Sequence, residues 1–197
     1  MMNFDAYFKL FQDIIETKEE ELQPPYNNPD YLNYTKLNFS RCKRWLKTGV
    51  LDPAAVEVIK NIQEPQEWTI ITEPWCGDAA HSIPFMELLA AQNPLIQTRY
   101  ELRDAPPFNI EHYLTRGSKS IPKLIIRNAA GEDLATWGPR PAECQQLFDK
   151  LMSEKADFET VKTELQNWYN HDKGEKIVKE IVEAIRAAAP QELGIRH

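Results

Sequence analysis

Trp75-Cys76-Gly77-Asp78-Ala79 is the run in this 197-residue chain whose residue types and setting could do chemistry. It follows a β-branched and aromatic stretch, EWTIIT at 67–72, and precedes a stretch that reads as a helix after Gly77. A cysteine at such a junction meets unpaired backbone N–H groups and the positive end of the helix dipole, which favours thiolate. Thiols so placed can have pKa values lowered to about 3.5–7.5, and the thiolate is the form that attacks disulfides and electrophiles. Two neighbours modify this expectation. Asp78 brings a carboxylate near the sulfur, which raises the thiol pKa, and Ala79 stands where a second sulfur would resolve a mixed disulfide. Cys76 can therefore form a mixed disulfide but cannot release its substrate by local exchange.

The elements that position this run follow from periodicity. Phe4, Tyr7, Phe8, Phe11, Ile14 and Ile15 recur at helical spacing. Asn28-Pro29 and Asp52-Pro53 each set a capping side chain before a proline, predicting helices over about 29–48 and 53–62, with Gly49 as a left-handed stop between them. Phe39, Cys42, Trp45 and Leu46 share a face of the first, so Cys42 reads as core. From Glu67 the order is β-α-β-α-β-β: EWTIIT, the helix after Gly77, LIQTRYELRD at 95–104, a short helix at 109–117, and two strands within 121–138 joined at NAAGED. Strand–helix–strand requires a parallel pair and the tight turn an antiparallel one, so the expectation is a mixed four-stranded sheet with helices on its faces. Cys144, Leu147, Phe148 and Leu151 form a helical stripe, which makes Cys144 core as well. Two further helices follow, and the apolar face Ile177, Val178, Ile181, Val182 and Ile185 must dock on this domain, on a partner or on a second copy.

With these residues in place the chain resembles the thioredoxins, whose hallmark Trp-Cys-Gly-Pro-Cys closes a strand. Pro84 lies eight residues after Cys76, where that family kinks its active-site helix. Gly117-Ser118-Lys119-Ser120-Ile121-Pro122-Lys123-Leu124, followed by Gly131-Glu132, is similar to the family's cis-proline loop and the turn after it. WCGDA with LRD, SIPKLII and TWGPRP looks closer still to thioredoxin-like proteins found mostly in bacteria, with a Trp-Cys-Gly-Asp motif and often no second cysteine. The resemblance implies an α/β thioredoxin-like fold over 67–152, with helical extensions at 1–66 and 153–197. It implies a cis Pro122 facing Cys76, with Ile121 offering strand-like hydrogen bonds to an extended peptide. Trp75 and Trp137 could add apolar contact there, although Trp137 within a hairpin reads as core or edge packing. Cys76 is then the candidate catalytic residue, and Trp75, Gly77, Asp78, Ala79, Ile121 and Pro122 the candidate binding residues. Ile70 replaces the family's buried acid, so dithiol–disulfide exchange is not expected.

Other classes are excluded by balance. Twenty-three Lys and Arg against 30 Asp and Glu give a net charge of −7, which argues against nucleic acid, and RCKRWLK at 41–47 reads as the solvated face of a helix. Mean hydropathy of −0.54 leaves no membrane span, and the acidic opening has no signal-peptide pattern, so a cytoplasmic setting is expected. Three cysteines suit a reducing compartment rather than a disulfide scaffold. His81 reads as a surface or edge histidine, and His112, His171 and His197 lie in separate segments, so neither metal nor cofactor is expected. Three readings remain: monothiol exchange with protein thiols, disulfides or glutathione; a redox-inactive peptide- or protein-binding module at the Pro122 loop; and a Cys76 that is only a small buried residue. Oligomeric state stays open, a dimer through the terminal helices being one arrangement. Cys42 as a remote resolving thiol also stays open.

Overall fold

The computed structural model describes residues 2–188, so the last nine residues of the C-terminal segment, His197 among them, lie outside the described residues. Helices α1 (Phe4–Glu16), α2 (Pro29–Thr48) and α3 (Pro53–Lys60) precede the sheet. Asn3, Asn28 and Asp52 cap them through side-chain oxygens, and Pro29 and Pro53 occupy the first helical positions. Gly49 is not the expected left-handed stop: its backbone is extended. It is glycine for space, because a Cβ there would lie 2.7 Å from the Trp45 carbonyl oxygen and 2.8 Å from Leu88.

The sheet has strands β1 (Gln66–Thr72), β2 (Ile96–Leu102), β3 (Lys123–Asn128) and β4 (Asp133–Trp137) in the order β2-β1-β3-β4. β1 and β2 pair parallel across α4 (Gly77–Ala90), with Ile70 opposite Tyr100; β1 and β3, and β3 and β4, pair antiparallel. This is the mixed topology expected from the sequence. The stretch at 109–117 is the exception, because only Asn109–His112 coils, as a 3₁₀ turn entered through left-handed Phe108. A bridge between Thr115 and Ser118 then closes the chain before a second helical turn could form. Three helices follow: α5 (Ala142–Ser153), α6 (Phe158–Asp172) and α7 (Glu175–Ala188).

The extensions share one core with the sheet. Tyr7 and Phe11 of α1, Trp45 of α2, Trp68 and Ile70 of β1, and Ile177 and Ile181 of α7 belong to a single buried cluster. The apolar face of α7 is thus spent within the chain, against β4, α3 and α4. α4 is buried on nearly every side, as its apolar composition requires, and it packs on α2, α3, α7 and β2. Pro84 within it has no N–H to give the Ala80 carbonyl one turn earlier; the Cys42 thiol donates to that oxygen instead, at 3.5 Å. Cys42 and Cys144 are both buried, and no helix among the described residues is long and apolar enough to cross a membrane.

Candidate functional site

β1 ends at Thr72 and the chain turns through Glu73-Pro74-Trp75 so that Cys76, in extended conformation, becomes the N-cap of α4. The cis-proline loop faces it: the Ile121–Pro122 peptide bond is cis, and the Cys76 thiol donates to the Ile121 carbonyl at 3.4 Å. Cys76 is only 7% exposed. Its thiol is pushed up to about 12 by burial and by the Asp78 charge, against the Asp78 and Ala79 N–H groups and Arg140, which pull it down. The expectation of a favoured thiolate at the helix start is therefore corrected: loss of solvent outweighs the helix terminus when the sulfur is enclosed.

Asp78 has partners from two distant segments. Arg140 Nη2 lies 2.8 Å from Oδ2, and the Tyr169 hydroxyl donates to Oδ1 at 2.7 Å. The Asp78 and Arg140 side chains are 11% and 15% exposed. Burial raises the Asp78 carboxyl above its ordinary value, with Arg140 and Tyr169 opposing. Burial also works to lower Arg140, but the Asp78 charge prevails and holds the guanidinium above its ordinary value. Arg140 further stacks over Phe148, 4.2 Å from the ring centroid.

His81 is not the surface or edge histidine expected. It is 3% exposed and stacks flat on Tyr169 with ring centroids 4.5 Å apart. Trp45 Nε1 donates to Nδ1 at 2.9 Å, and Nε2 lies 3.2 Å from Gln166 Oε1. An indole N–H can only donate, so Nδ1 is the bare nitrogen and Nε2 carries the proton toward Gln166. Burial, and then the Arg41 charge, push His81 down to about 3, so it is neutral at pH 7. It lines the same cleft as Cys76.

That cleft, about 860 Å³, opens between α2 and α6 over the start of α4. Of the expected site residues, Trp75, Cys76, Gly77, Asp78 and Ile121 line it; Ala79 and Pro122 do not. Ala79 is 1% exposed in the core, because the residue after Asp78 turns to the inner face of α4. Pro122 is buried behind Ile121 and lies under Gly138, where an added Cβ would overlap the Pro122 carbonyl. Trp137 is also absent from the lining; its indole donates to Glu180 of α7 at 2.8 Å, in keeping with packing within the hairpin. Trp75 contributes its ring, held edge-on to Tyr31 and beneath the Arg103 guanidinium.

The extensions supply what sequence reasoning missed. α2 gives Tyr31, Tyr34, Leu37 and Arg41 to one wall, and α6 gives Phe158, Leu165, Gln166 and Tyr169 to the other. Only one signal pointed there: an acid at the first turn of an otherwise apolar buried helix demands a partner, and Asp78 has two. Among the described residues no cluster of His, Cys, Asp and Glu has the arrangement of a metal site.

A family profile described as Thioredoxin matches residues 26–156. No curated protein matches the chain. Solved structures share its fold, two of them as follows. A protein of unknown function from Pseudomonas aeruginosa superimposes with a TM-score of 0.58 at 15% identity, over 96% of this chain and 100% of that one. An HIV epitope-scaffold superimposes with a TM-score of 0.57 at 15% identity, over 95% of this chain and 100% of its own. With the profile spanning most of the chain, from α2 through α5, and the sheet order in agreement, the protein belongs to the thioredoxin family.

Proposed function

We propose that this protein is a binding module of the thioredoxin fold, taking an extended peptide segment in the cleft between α2 and α6, with Cys76 a neutral thiol on its wall. The observation that carries the reading is the enclosure of Cys76. Burial and the Asp78 charge push the thiol up to about 12, so it stays protonated at neutral pH. Cys42 and Cys144 are pushed up to about 12 as well, both by burial first, so no other thiol in the chain supplies the nucleophile.

Two features support a peptide as the occupant. Ser120 and Ile121 of the cis-proline loop line the cleft, and a loop of this kind can add an extended strand. At the mouth stand Tyr31, Leu37 and Phe158, large apolar side chains that remain 38%, 46% and 68% exposed. A cleft of this volume, lined by aromatic and aliphatic side chains interleaved with polar and charged ones, is suited to a ligand. The WCGDA, SIPKLII and TWGPRP runs support placing the chain with the single-cysteine Trp-Cys-Gly-Asp proteins, and Ala79 is consistent with a site that has given up turnover.

The test is fluorescence anisotropy with a panel of labelled, end-blocked octapeptides carrying central apolar triplets. Saturable binding of at least one, weakened about tenfold or more by Leu37→Asp, is the expected result; no saturable binding by any member contradicts the proposal. Monothiol exchange with a protein disulfide or glutathione is the second reading. It is favoured by one observation: Cys76 lies on the cleft wall with the Asp78 and Ala79 N–H groups acting on its sulfur. A mixed disulfide trapped with oxidised glutathione at pH 7 would support that reading over the first.

A further inference from the structure

Four cationic side chains reach the cleft, and three are matched by carboxylates. Arg103 pairs with Asp104, Arg140 with Asp78 and Lys162 with Glu159, at 2.6, 2.8 and 2.8 Å. Arg41 is the fourth, and among the described residues no carboxylate stands within ion-pair distance of it. Its Nη1 donates to Asn38 Oδ1 at 2.9 Å, and Asn38 in turn donates to the Pro74 carbonyl, two residues before Cys76. A guanidinium has five N–H donors, so most of its capacity is left over.

Arg41 is held where an occupant of the cleft would meet it. A Cβ built on Gly77 would lie 3.9 Å from Arg41 Nη1, and the Arg41 charge is felt by His81. Burial, then the neighbouring Arg44, lower Arg41 to about 10, yet it stays charged at neutral pH. Tyr34, Leu37 and Arg41 share a face of α2 at i, i+3 and i+7 spacing, opposite Phe158 and Leu165 of α6. The remaining lining acid, Asp30, sits in the first turn of α2, about 16 Å along the helix from Arg41.

We infer that Arg41 reads an anion in this cleft, and that the occupant is an acidic apolar peptide segment: a side-chain carboxylate pairs with the Arg41 guanidinium while an adjoining apolar side chain lies between Leu37 and Phe158. The inference rests on the peptide-binding reading and adds the chemistry of the partner. A carboxylate on a partly buried guanidinium forms a charge-assisted bond, which discriminates against the neutral amide of the same shape.

The experiment takes the tightest octapeptide of the panel and compares two versions, one with Asp beside the apolar triplet and one with Asn. The wild-type chain is expected to bind the Asp peptide about tenfold tighter, a difference of ~1.4 kcal/mol. Arg41→Gln abolishes the preference, the ratio of the two affinities being the readout, while Arg41→Lys keeps part of it. Equal binding of the two peptides by the wild type overturns the inference and leaves the binding reading intact. A preference that survives Arg41→Gln also overturns it, because another cation is then reading the carboxylate. Failure of every peptide to bind removes the reading beneath it.

Discussion

Tyr169 lies 91 residues after Asp78, yet its hydroxyl donates to the Asp78 carboxylate at 2.7 Å. The bond ties α6 to the start of α4 and closes one wall of the cleft beside Cys76. Tyr169→Phe keeps the ring on His81 and removes the hydroxyl that makes this bond, and a hydrogen bond to a charged group contributes about 1.5–3 kcal/mol. Urea denaturation of the variant is expected to show a loss of about 2 kcal/mol with an unchanged m-value; a loss below about 0.5 kcal/mol would mean that the bond does not hold α6 in solution.

Arg140→Met strands a largely buried carboxylate. Removing one partner of a buried pair costs about 3–5 kcal/mol, and the residual exposure of the Asp78 and Arg140 side chains, 11% and 15%, favours the lower end. The double variant Arg140→Met/Asp78→Asn is expected to recover much of that loss, which the same denaturation series measures.

Folding linkage makes His81 a source of acid sensitivity. Its folded pKa, about 3, lies below the unfolded value near 6.5, so the unfolded chain binds the extra proton between these limits. The stability contributed by neutral His81 is therefore complete above about pH 6.5 and is lost as the pH falls toward 3, at up to ~1.4 kcal/mol per unit. Buried Glu73 and half-buried Glu87, raised by desolvation, act with the opposite sign, so the comparison must be with a variant that lacks the imidazole. Between pH 7 and 5 the wild type is expected to lose about 2 kcal/mol relative to His81→Gln. Parallel curves would contradict the buried neutral assignment.

Gly138 holds the cis-proline loop. It has φ +110, and an added Cβ would overlap the Pro122 carbonyl. Gly138→Ala is expected to cost at least ~2 kcal/mol, from strain at that φ plus the overlap. A near-neutral effect on the thermal midpoint would show that the loop is not pinned there.

Phe158 separates binding from stability. It is 68% exposed, touching Tyr34 edge-on with ring centroids 6.5 Å apart. Phe158→Ala is expected to change stability by less than about 0.5 kcal/mol, as exposed substitutions do, while weakening octapeptide binding several-fold.

The fold was legible because its signals are local. Asn28-Pro29 and Asp52-Pro53 mark helix starts within two residues, and the β-branched and apolar runs around Ile70 and Ile125 mark strands without reference to distant chain. The site was legible only in part. Trp75, Cys76, Gly77, Asp78 and Ile121 carry recognisable motifs and line the cleft. The burial of His81 comes from Trp45, Gln166 and Tyr169, 36 and more residues away, and spacing along one helix cannot see them. The same distance hid the fate of the thiol: the local pattern shows a helix terminus, whereas the enclosure that raises Cys76 is built by the whole fold.

The most direct test of a neutral, non-nucleophilic Cys76 is the pH dependence of its alkylation by iodoacetamide in a Cys42→Ser/Cys144→Ser background. The expected result is labelling at pH 7 at least ~100-fold slower than free cysteine, rising with pH through 10 without a plateau. Rapid labelling that levels off with an apparent pKa below ~8.5 would contradict the account and return Cys76 to thiol exchange.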